Sequence, residues 1–351
     1  MGKIDLKSIN IGGRRIGNKK PSYIIAEIGS NFDGSLKKAK KMIELSKKSG
    51  ADCVKFQSFI SEELLAKKEF KKKLTFQKKW KKSVWEVYKD AELPREWHKD
   101  LFEFAKKNEI DFMSTPYDFE AVDLLEDIGV KAYKIGSGDI TFHEFLEYVA
   151  KKGKPVFLPT GASNIQEISK AVNVIKRINK KIILMQSITQ YPSKIEDANI
   201  LSMVSLREKF GFNVGYSDHS PGIIVPITSI AHGACIIEKH FTDNQKNSGP
   251  DHRHSLNPQQ FSQMVSFIRD VEKSLGSKVK KVEKSELQTR IIQRRSIFSI
   301  KEIKKGEKFS KKNIKCLRPA KGLSADKYSF ILNKKATRKI KPSSLIKNTD
   351  F

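Results

Sequence analysis

An α/β barrel of eight strand-helix units, followed by a small β-rich module, is the architecture this sequence predicts. Three observations point to it. Between residues 23 and 241, short apolar runs alternate with amphipathic segments of helical period, the pattern that builds a parallel sheet from repeated strand-helix units. The runs number eight, which in this length fits a TIM barrel better than an open doubly wound sheet. Past residue 275 the composition turns polar and lysine-rich, then breaks into short strand-like pieces punctuated by Gly306, Pro319, Gly322 and Pro342.

The eight strands fall at residues 23–29, 53–57, 111–115, 132–136, 155–160, 182–187, 213–218 and 235–241. Helices lie between them. Residues 35–49 carry Leu36, Ala39, Met42 and Ile43 as one apolar stripe, and residues 118–128 open on Asp118, whose side chain suits an N-cap. The interval between Gln57 and Asp111 is long, about fifty residues with Trp80, Trp85, Tyr88 and Trp97. It predicts extra helices or a loop over the barrel mouth besides the regular second helix. Aromatics at helical spacing read as packing, so no chemistry is assigned to them. The eighth helix occupies residues 258–275, closing a catalytic domain of residues 1–275. Residues 276–293 read as a linker and residues 294–351 as a compact β-rich domain. A module of that size is marginal alone, so it is expected to dock on the barrel or on a partner subunit.

Charge narrows the function classes. With 68 Lys and Arg against 40 Asp and Glu the chain carries +28, a balance that raises nucleic-acid binding as a possibility. The lysines, however, sit in pairs and triplets along helical segments, at Lys37-Lys38, Lys47-Lys48, Lys71 to Lys73, Lys78-Lys79 and Lys81-Lys82. That distribution is a solvated helix face, and lysine far outnumbers arginine, a poor signature for base readout. No specific nucleic acid is expected; weak polyanion binding at low salt is, and the field helps to draw in an anionic substrate. Cys53, Cys235 and Cys316 are odd in number and far apart, which argues against disulfides or a zinc knuckle. No segment has the length and apolarity of a membrane span, and residues 1–20 lack an apolar leader core. A cytoplasmic protein without a membrane partner is the expectation.

In such a barrel, catalytic groups come from the C-terminal ends of the strands. Taken in order, those ends offer Glu27, Lys55, Thr115, Lys134 with Ser137, Thr160, Thr189, Ser217 with His219, and His240. If strands seven and eight are neighbours, His219 and His240 meet at the mouth and half-fill a divalent-metal site, leaving positions open for water and substrate oxygen. A lone histidine is more often a satisfied core or surface residue, but the polar residues crowded around these two strand ends, Ser217, Asp218, Glu238, Lys239 and Gly249 to His252, favour the metal reading. Lysine inside an apolar strand is costly to bury without an anion. Lys55 and Lys134 therefore either pair with structural acids or receive an anionic substrate, and Glu27 either bridges to one of them or serves the chemistry. Two such lysines, several hydroxyls and a glycine turn suit a ligand with a carboxylate and a phosphate. Gly136-Ser137-Gly138 is too short for a dinucleotide fingerprint.

The ordered motifs Ile25 to Asn31, Lys55-Phe56-Gln57, Ser114-Thr115-Pro116, Lys134 to Asp139, Gly215 to His219, Glu238 to Thr242 and Gly249 to His252 resemble the sialic acid synthase family. Arg294-Arg295-Ser296 and Leu317-Arg318-Pro319 resemble that family's antifreeze-like (SAF) domain. The resemblance implies a cytoplasmic transferase that condenses phosphoenolpyruvate with an N-acetylated mannosamine-type sugar and water. It implies His219 and His240 as ligands of a divalent metal, manganese with magnesium or cobalt as alternatives, that polarises the sugar aldehyde. By the same resemblance Lys55, Thr115 and Lys134 meet the phosphoenolpyruvate carboxylate, and Ser137, Ser217 and loop amides meet its phosphate. Glu27 and Asp251 orient sugar hydroxyls and assist proton transfer, Tyr191 joins the substrate-binding set, and Arg318 reaches the sugar N-acyl group from the other subunit of a domain-swapped homodimer.

Three stretches depart from the family pattern. Leu158-Pro159-Thr160-Gly161-Ala162 lacks the serine that would touch phosphate, a part Thr160 is placed to take. Met185 to Pro192 keeps a hydroxyl, Thr189, and Tyr191 but has lost the usual His and Cys. Residues 140–144 lack the common Asn and Pro. These changes bear on the choice of sugar, where sialic, legionaminic and pseudaminic acid precursors are all compatible with the motifs. A shorter keto-sugar acid is disfavoured by the SAF module, and a non-catalytic polyanion binder is the reading outside enzymes.

Overall fold

The computed structural model describes residues 6–17, 20–70, 73, 77–78 and 80–351. Part of the reading of residues 1–20, and Lys71, Lys72 and Lys79 of the charge runs, fall outside the described residues. The first element is a hairpin, β1 (Ile9–Ile11) and β2 (Arg14–Ile16), turned by Gly12 and Gly13 at φ of 55° and 93°, values that glycine adopts without steric cost.

Alternating units follow: β3 (Tyr23–Glu27), α1 (Leu36–Lys48), β4 (Cys53–Ser58), α2 (Ser61–Leu64), α3 (Val84–Ala91), α4 (Trp97–Lys107), β5 (Asp111–Pro116) and α5 (Phe119–Ile128). The second half holds β6 (Tyr133–Lys134), α6 (His143–Lys151), β7 (Val156–Pro159), α7 (Ile165–Ile178), β8 (Ile182–Ser187) and α8 (Ile200–Phe210). It closes with β9 (Asn213–Asp218), α9 (Ile224–Ala231), β10 (Ile236–His240) and α10 (Pro258–Ser274). The strands β3 to β10 form one eight-stranded sheet in the order β5-β4-β3-β10-β9-β8-β7-β6, every pairing parallel. The sheet curls into a nearly closed barrel, and β5 lies beside β6 without a paired ladder among the described residues.

Period two sorts the strand residues. Tyr23 and Ile25 pack inside the barrel with Cys53, Met113, Phe157, Ile183, Met185 and Ile236, and Ile11 and Ile16 of the hairpin join this group. Ile24, Ala26, Val54, Phe56 and Phe112 face outward, against buried helix residues such as Met42, Ile43 and Leu101. The interior is thus apolar toward the N-terminal ends of the strands, and its charged groups are confined to the opposite end. Helix starts obey capping chemistry: Ser35, Asp118, Asn164 and Asn257 side chains each accept from the first-turn amides of α1, α5, α7 and α10. The long second interval holds α2 and α3 before the regular helix α4. Its aromatics pack: Trp80 lies 6.3 Å from Tyr88, and Trp97 lies 6.3 Å from Phe32.

The chain divides into two compact units, residues 1–276 and 277–351. In the second, α11 (Leu287–Gln293) falls within the stretch that composition marked as a linker. Antiparallel β11 (Ser296–Ser299) and β12 (Ile314–Leu317) pair with Ser296 opposite Leu317, and α12 (Tyr328–Ile331) follows. Bridges Phe298 to Leu345 and Ile303 to Ile340 complete a fold around Ile297, Phe309, Ile314, Ile331 and Ile346. No helix among the described residues is long and apolar enough to cross a membrane.

Candidate active site

Strand register builds the site. Glu27 stands opposite Lys55 on β4 and His240 on β10, Gln57 opposite Thr115, and Ser217 opposite both Glu238 and Ser187. The outcome is a buried set of two acids and two lysines. Glu27 Oε2 lies 2.7 Å from Lys55 Nζ, and Gln57 Nε2 donates to Glu27 Oε1 at 2.7 Å. Lys55 Nζ also donates to Thr115 Oγ1 at 3.0 Å. On the far side Lys134 Nζ and Ser217 Oγ both donate to Glu238 Oε1 at 3.0 Å, and Lys55 lies 3.8 Å from the same oxygen. Both lysines therefore do have acid partners. Yet the set is incompletely satisfied: Glu238 Oε2 is buried without a hydrogen bond, an exception of the kind that marks functional groups.

The electrostatics split the two carboxyls. Burial pushes Glu27 up, against Lys55, to about 7. For Glu238, burial is outweighed by Lys134 and Lys55, which hold it down at about 2. Burial lowers Lys134 despite Glu238, whereas Glu238 and Glu27 overcome burial to raise Lys55. Two carboxyls with separated proton affinities beside two cations are what acid-base chemistry on an anion requires.

His219 and His240 come together as their strands become neighbours, with ring centroids 5.5 Å apart. The Ile188 carbonyl accepts from His219 Nδ1 at 2.7 Å, which leaves Nε2 as the lone-pair nitrogen. Burial lowers His219 to about 4 and His240 well below its ordinary value, so both rings are neutral at pH 7. Tyr191 packs 4.2 Å from His219 and 6.0 Å from His240. Asp251 enters from the loop after β10: its Oδ2 lies 3.9 Å from His240 Nδ1 and accepts from Ser30 Oγ at 3.2 Å. Gly29, at φ 53°, passes close behind, and a Cβ there would stand 2.9 Å from that oxygen.

A second cluster surrounds Gly161. A Cβ at this position would lie 2.2 Å from Thr189 Oγ1 and 3.0 Å from Ser137 Oγ, so the two hydroxyls converge on a space only glycine leaves open. Thr160 turns elsewhere: its hydroxyl donates to the Met185 carbonyl at 3.2 Å, with Gln186 Oε1 at 3.4 Å. Thr160, Gln186, Ser187 and Ile188 border a cavity of about 1020 Å³ between α7 and α8. That cavity lies beside the charged set, not over it. Gln186, Ser187 and Ile188 border this side space, and Ser187 also stands opposite Ser217, which donates to Glu238. Arg318 stands exposed after β12 in the second unit.

A model described as the NeuB family matches residues 42–280, and one for the SAF domain matches residues 294–351. The chain belongs to the NeuB family. It is 43% identical over 334 residues to an N,N'-diacetyllegionaminic acid synthase of Campylobacter jejuni, covering 93% of this chain and 99% of that one. A pseudaminic acid synthase of the same organism is 36% identical over 342 residues, covering 96% and 99%. Among solved structures, the N-acetylneuraminic acid (sialic acid) synthetase of Leptospira borgpetersenii, in complex with citrate, superimposes with TM-score 0.74 at 33% identity, over 81% of this chain and 95% of that one.

The residues of this NeuB-family chain fit a divalent ion. His240, Asp251 and His254 each offer one ligand atom, and these atoms lie within 4.8 Å of one another. His240 Nδ1 and His254 Nε2 are both buried without a hydrogen-bond partner, a state that a shared cation would resolve. His254 was missed from sequence, although two histidines directly after Asp251 in Asp251-His252-Arg253-His254 were the available signal. Asp139 was passed over as well. Burial raises it to about 6, and its Oδ2 has no partner, beside Gly136.

Proposed function

We propose that the protein is a nonulosonic acid synthase that joins phosphoenolpyruvate to an N-acetylated amino sugar of the mannosamine type, releasing phosphate. The observation that carries this reading is the Glu27, Lys55, Glu238, Lys134 set beside the histidines at one barrel mouth. In the reaction the methylene carbon of phosphoenolpyruvate gives the double-bond electron pair to the open-chain aldehyde carbon of the sugar, whose oxygen takes up a proton to become a hydroxyl. Water then adds to the former enol carbon bearing the phosphate, and phosphate leaves with the bridging oxygen by C-O cleavage.

Lys55 and Lys134 neutralise the carboxylate of phosphoenolpyruvate, with Thr115 as the hydroxyl already hydrogen-bonded to Lys55. Ser137, Thr189 and the amides around Gly161 take the phosphate, with Ser217 at the edge of the acid set. Thr160 shapes the wall through its bond to β8. Glu27, poised at about 7, accepts the proton lost by the attacking water. Asp251 and Tyr191 orient the sugar. A divalent ion, manganese by resemblance with magnesium or cobalt as alternatives, would be held by His219 and His240 and supply Lewis-acid polarisation of the aldehyde oxygen. Arg318, supplied by a second copy of the chain in a domain-swapped homodimer, binds the N-acyl group; the resemblance alone supports that part.

For the sugar, the 43% identity to a diacetyllegionaminic acid synthase favours a 2,4-diacetamido-6-deoxy acceptor over N-acetylmannosamine. Initial rates of phosphate release with each sugar at equal concentration test the choice. Faster turnover of N-acetylmannosamine would reassign the acceptor, and no release with either would overturn the synthase reading.

A further inference from the structure

His252 and His254 share one 3-10 turn (His252–His254), yet their rings are used differently. His252 is fully buried and has both nitrogens engaged: Nδ1 with Thr242 Oγ1 at 2.6 Å and Nε2 with Asp33 Oδ1 at 2.8 Å. That is a structural histidine. It clamps the loop after β10 onto the loop before α1. The side chain of His254 is 5% exposed, and its Nε2 has no hydrogen bond but lies 3.8 Å from Asp251 Oδ1. Its ring centroid is 4.9 Å from that of His240 and 5.6 Å from that of Tyr191.

The turn is held rigidly against β10. Leu256 N donates to the His240 carbonyl at 2.8 Å, and Thr242 N donates to the Leu256 carbonyl at 2.9 Å. Asn31 Nδ2 donates to the Phe241 carbonyl and to Ser255 Oγ, each at 2.9 Å, while Ser255 Oγ donates to the Asp251 carbonyl at 2.7 Å. Preorganisation of this kind is what a ligand set needs.

We propose that His254 joins His240 and Asp251 as a ligand of the divalent ion, the Asp251 carboxylate then facing the ion as well as the sugar, and that its imidazole biases the site toward nitrogen-preferring transition metals. The inference rests on the metal-assisted reading above and concerns a residue outside the His219 and His240 pair. Imidazole suits cobalt and zinc better than manganese, and magnesium least, so an added ring raises affinity along that order. The alternative for the same geometry is that His254 only positions the Asp251 carboxylate.

Binding of Co²⁺ and Mn²⁺ to the metal-stripped, full-length protein by titration calorimetry, with the visible spectrum of the Co²⁺ form, separates these roles. Losing even an outer partner of a ligand costs about 10–100-fold in metal affinity. His254→Ala should therefore weaken Co²⁺ by about 100-fold and Mn²⁺ by about tenfold, and shift the Co²⁺ absorption bands. His254→Asn, which keeps most of the volume, should do the same, so a folding defect in one variant does not decide the test. Equal losses of Co²⁺ and Mn²⁺ affinity with unchanged Co²⁺ bands, as a positioning role gives, or Co²⁺ affinity within twofold of wild type, in both variants would overturn the proposal and leave the synthase reading standing. Wild-type protein that binds neither ion would overturn the metal-assisted reading itself.

Discussion

Glu238→Gln isolates the balance at the centre of the site. The carboxylate accepts from Lys134 at 3.0 Å and from Ser217 at 3.0 Å, with Lys55 at 3.8 Å. Glutamine preserves the shape and one acceptor but removes the charge, leaving Glu27 as the only acid facing two buried ammonium groups. Removing one partner of a buried ion pair costs about 3–5 kcal/mol, on the order of 10 °C in Tm for a unit of this size. The protein can escape part of that cost by releasing the Lys134 proton. Burial already holds Lys134 below its ordinary value and Glu238 opposes the shift, so the substitution lowers it further. A lysine whose folded pKa is depressed loses stability as pH falls through that pKa; the deficit should therefore shrink as pH is raised from 7 toward 10. Phosphoenolpyruvate should return an anion to the site. At one hundred times its Kd it stabilises any competent site by about 2.7 kcal/mol, and the stabilisation should be larger in the variant than in wild type when both are compared at equal ligand concentration. The assay is thermal unfolding by circular dichroism across pH, with and without ligand. A variant within 1 kcal/mol of wild type at pH 7, with no added response to ligand, would refute the claim that both lysines are charged together.

Gly161→Ala should drive a methyl into the Thr189 and Ser137 hydroxyls and raise KM for phosphoenolpyruvate about tenfold with little change in Tm, because Thr189 is exposed and can move; an unchanged KM in steady-state kinetics would remove these hydroxyls from the phosphate site. In the metal-free protein, His219 sits at about 4 against an ordinary 6.5, so its contribution is present above pH 6.5 and is lost as pH falls toward 4. Glu27, at about 7 against 4.5, works oppositely: its contribution is present below pH 4.5 and is lost as pH rises through 7. Urea midpoints measured from pH 4 to 8 should accordingly show Glu27→Gln flattening the decline between 4.5 and 7, and a parallel pair of curves would contradict the assignment. Arg318→Ala should raise KM for the sugar while leaving KM for phosphoenolpyruvate near wild type, and equal sugar kinetics in both proteins would exclude Arg318 from the site.

The barrel was legible because strand and helix periods differ sharply, and because polar groups at the ends of apolar strands are expensive enough to demand a reason. Glu27, Lys55, Lys134, His219 and His240 stood out for that cause. Partnership was less legible: Lys134 meets Glu238 across 104 residues, and register rather than local pattern decides it. The hairpin of β1 and β2 escaped notice since three-residue strands carry almost no periodic signal. His254 lies off the strands, in a loop whose position depends on His252 reaching Asp33 across 219 residues. The helix α11 was hidden by the charged, exposed composition that made its surroundings read as a linker.

The most direct measurement uses phosphoenolpyruvate labelled with oxygen-18 in the bridging position, incubated with metal-stripped protein, a 2,4-diacetamido-6-deoxy sugar or N-acetylmannosamine, and manganese added or withheld. Mass spectrometry of the phosphate and the keto acid reads the outcome. The account predicts manganese-dependent product with the label carried off in phosphate. Label retained in the sugar acid would contradict C-O cleavage, and absence of product with both sugars and manganese would contradict the synthase assignment.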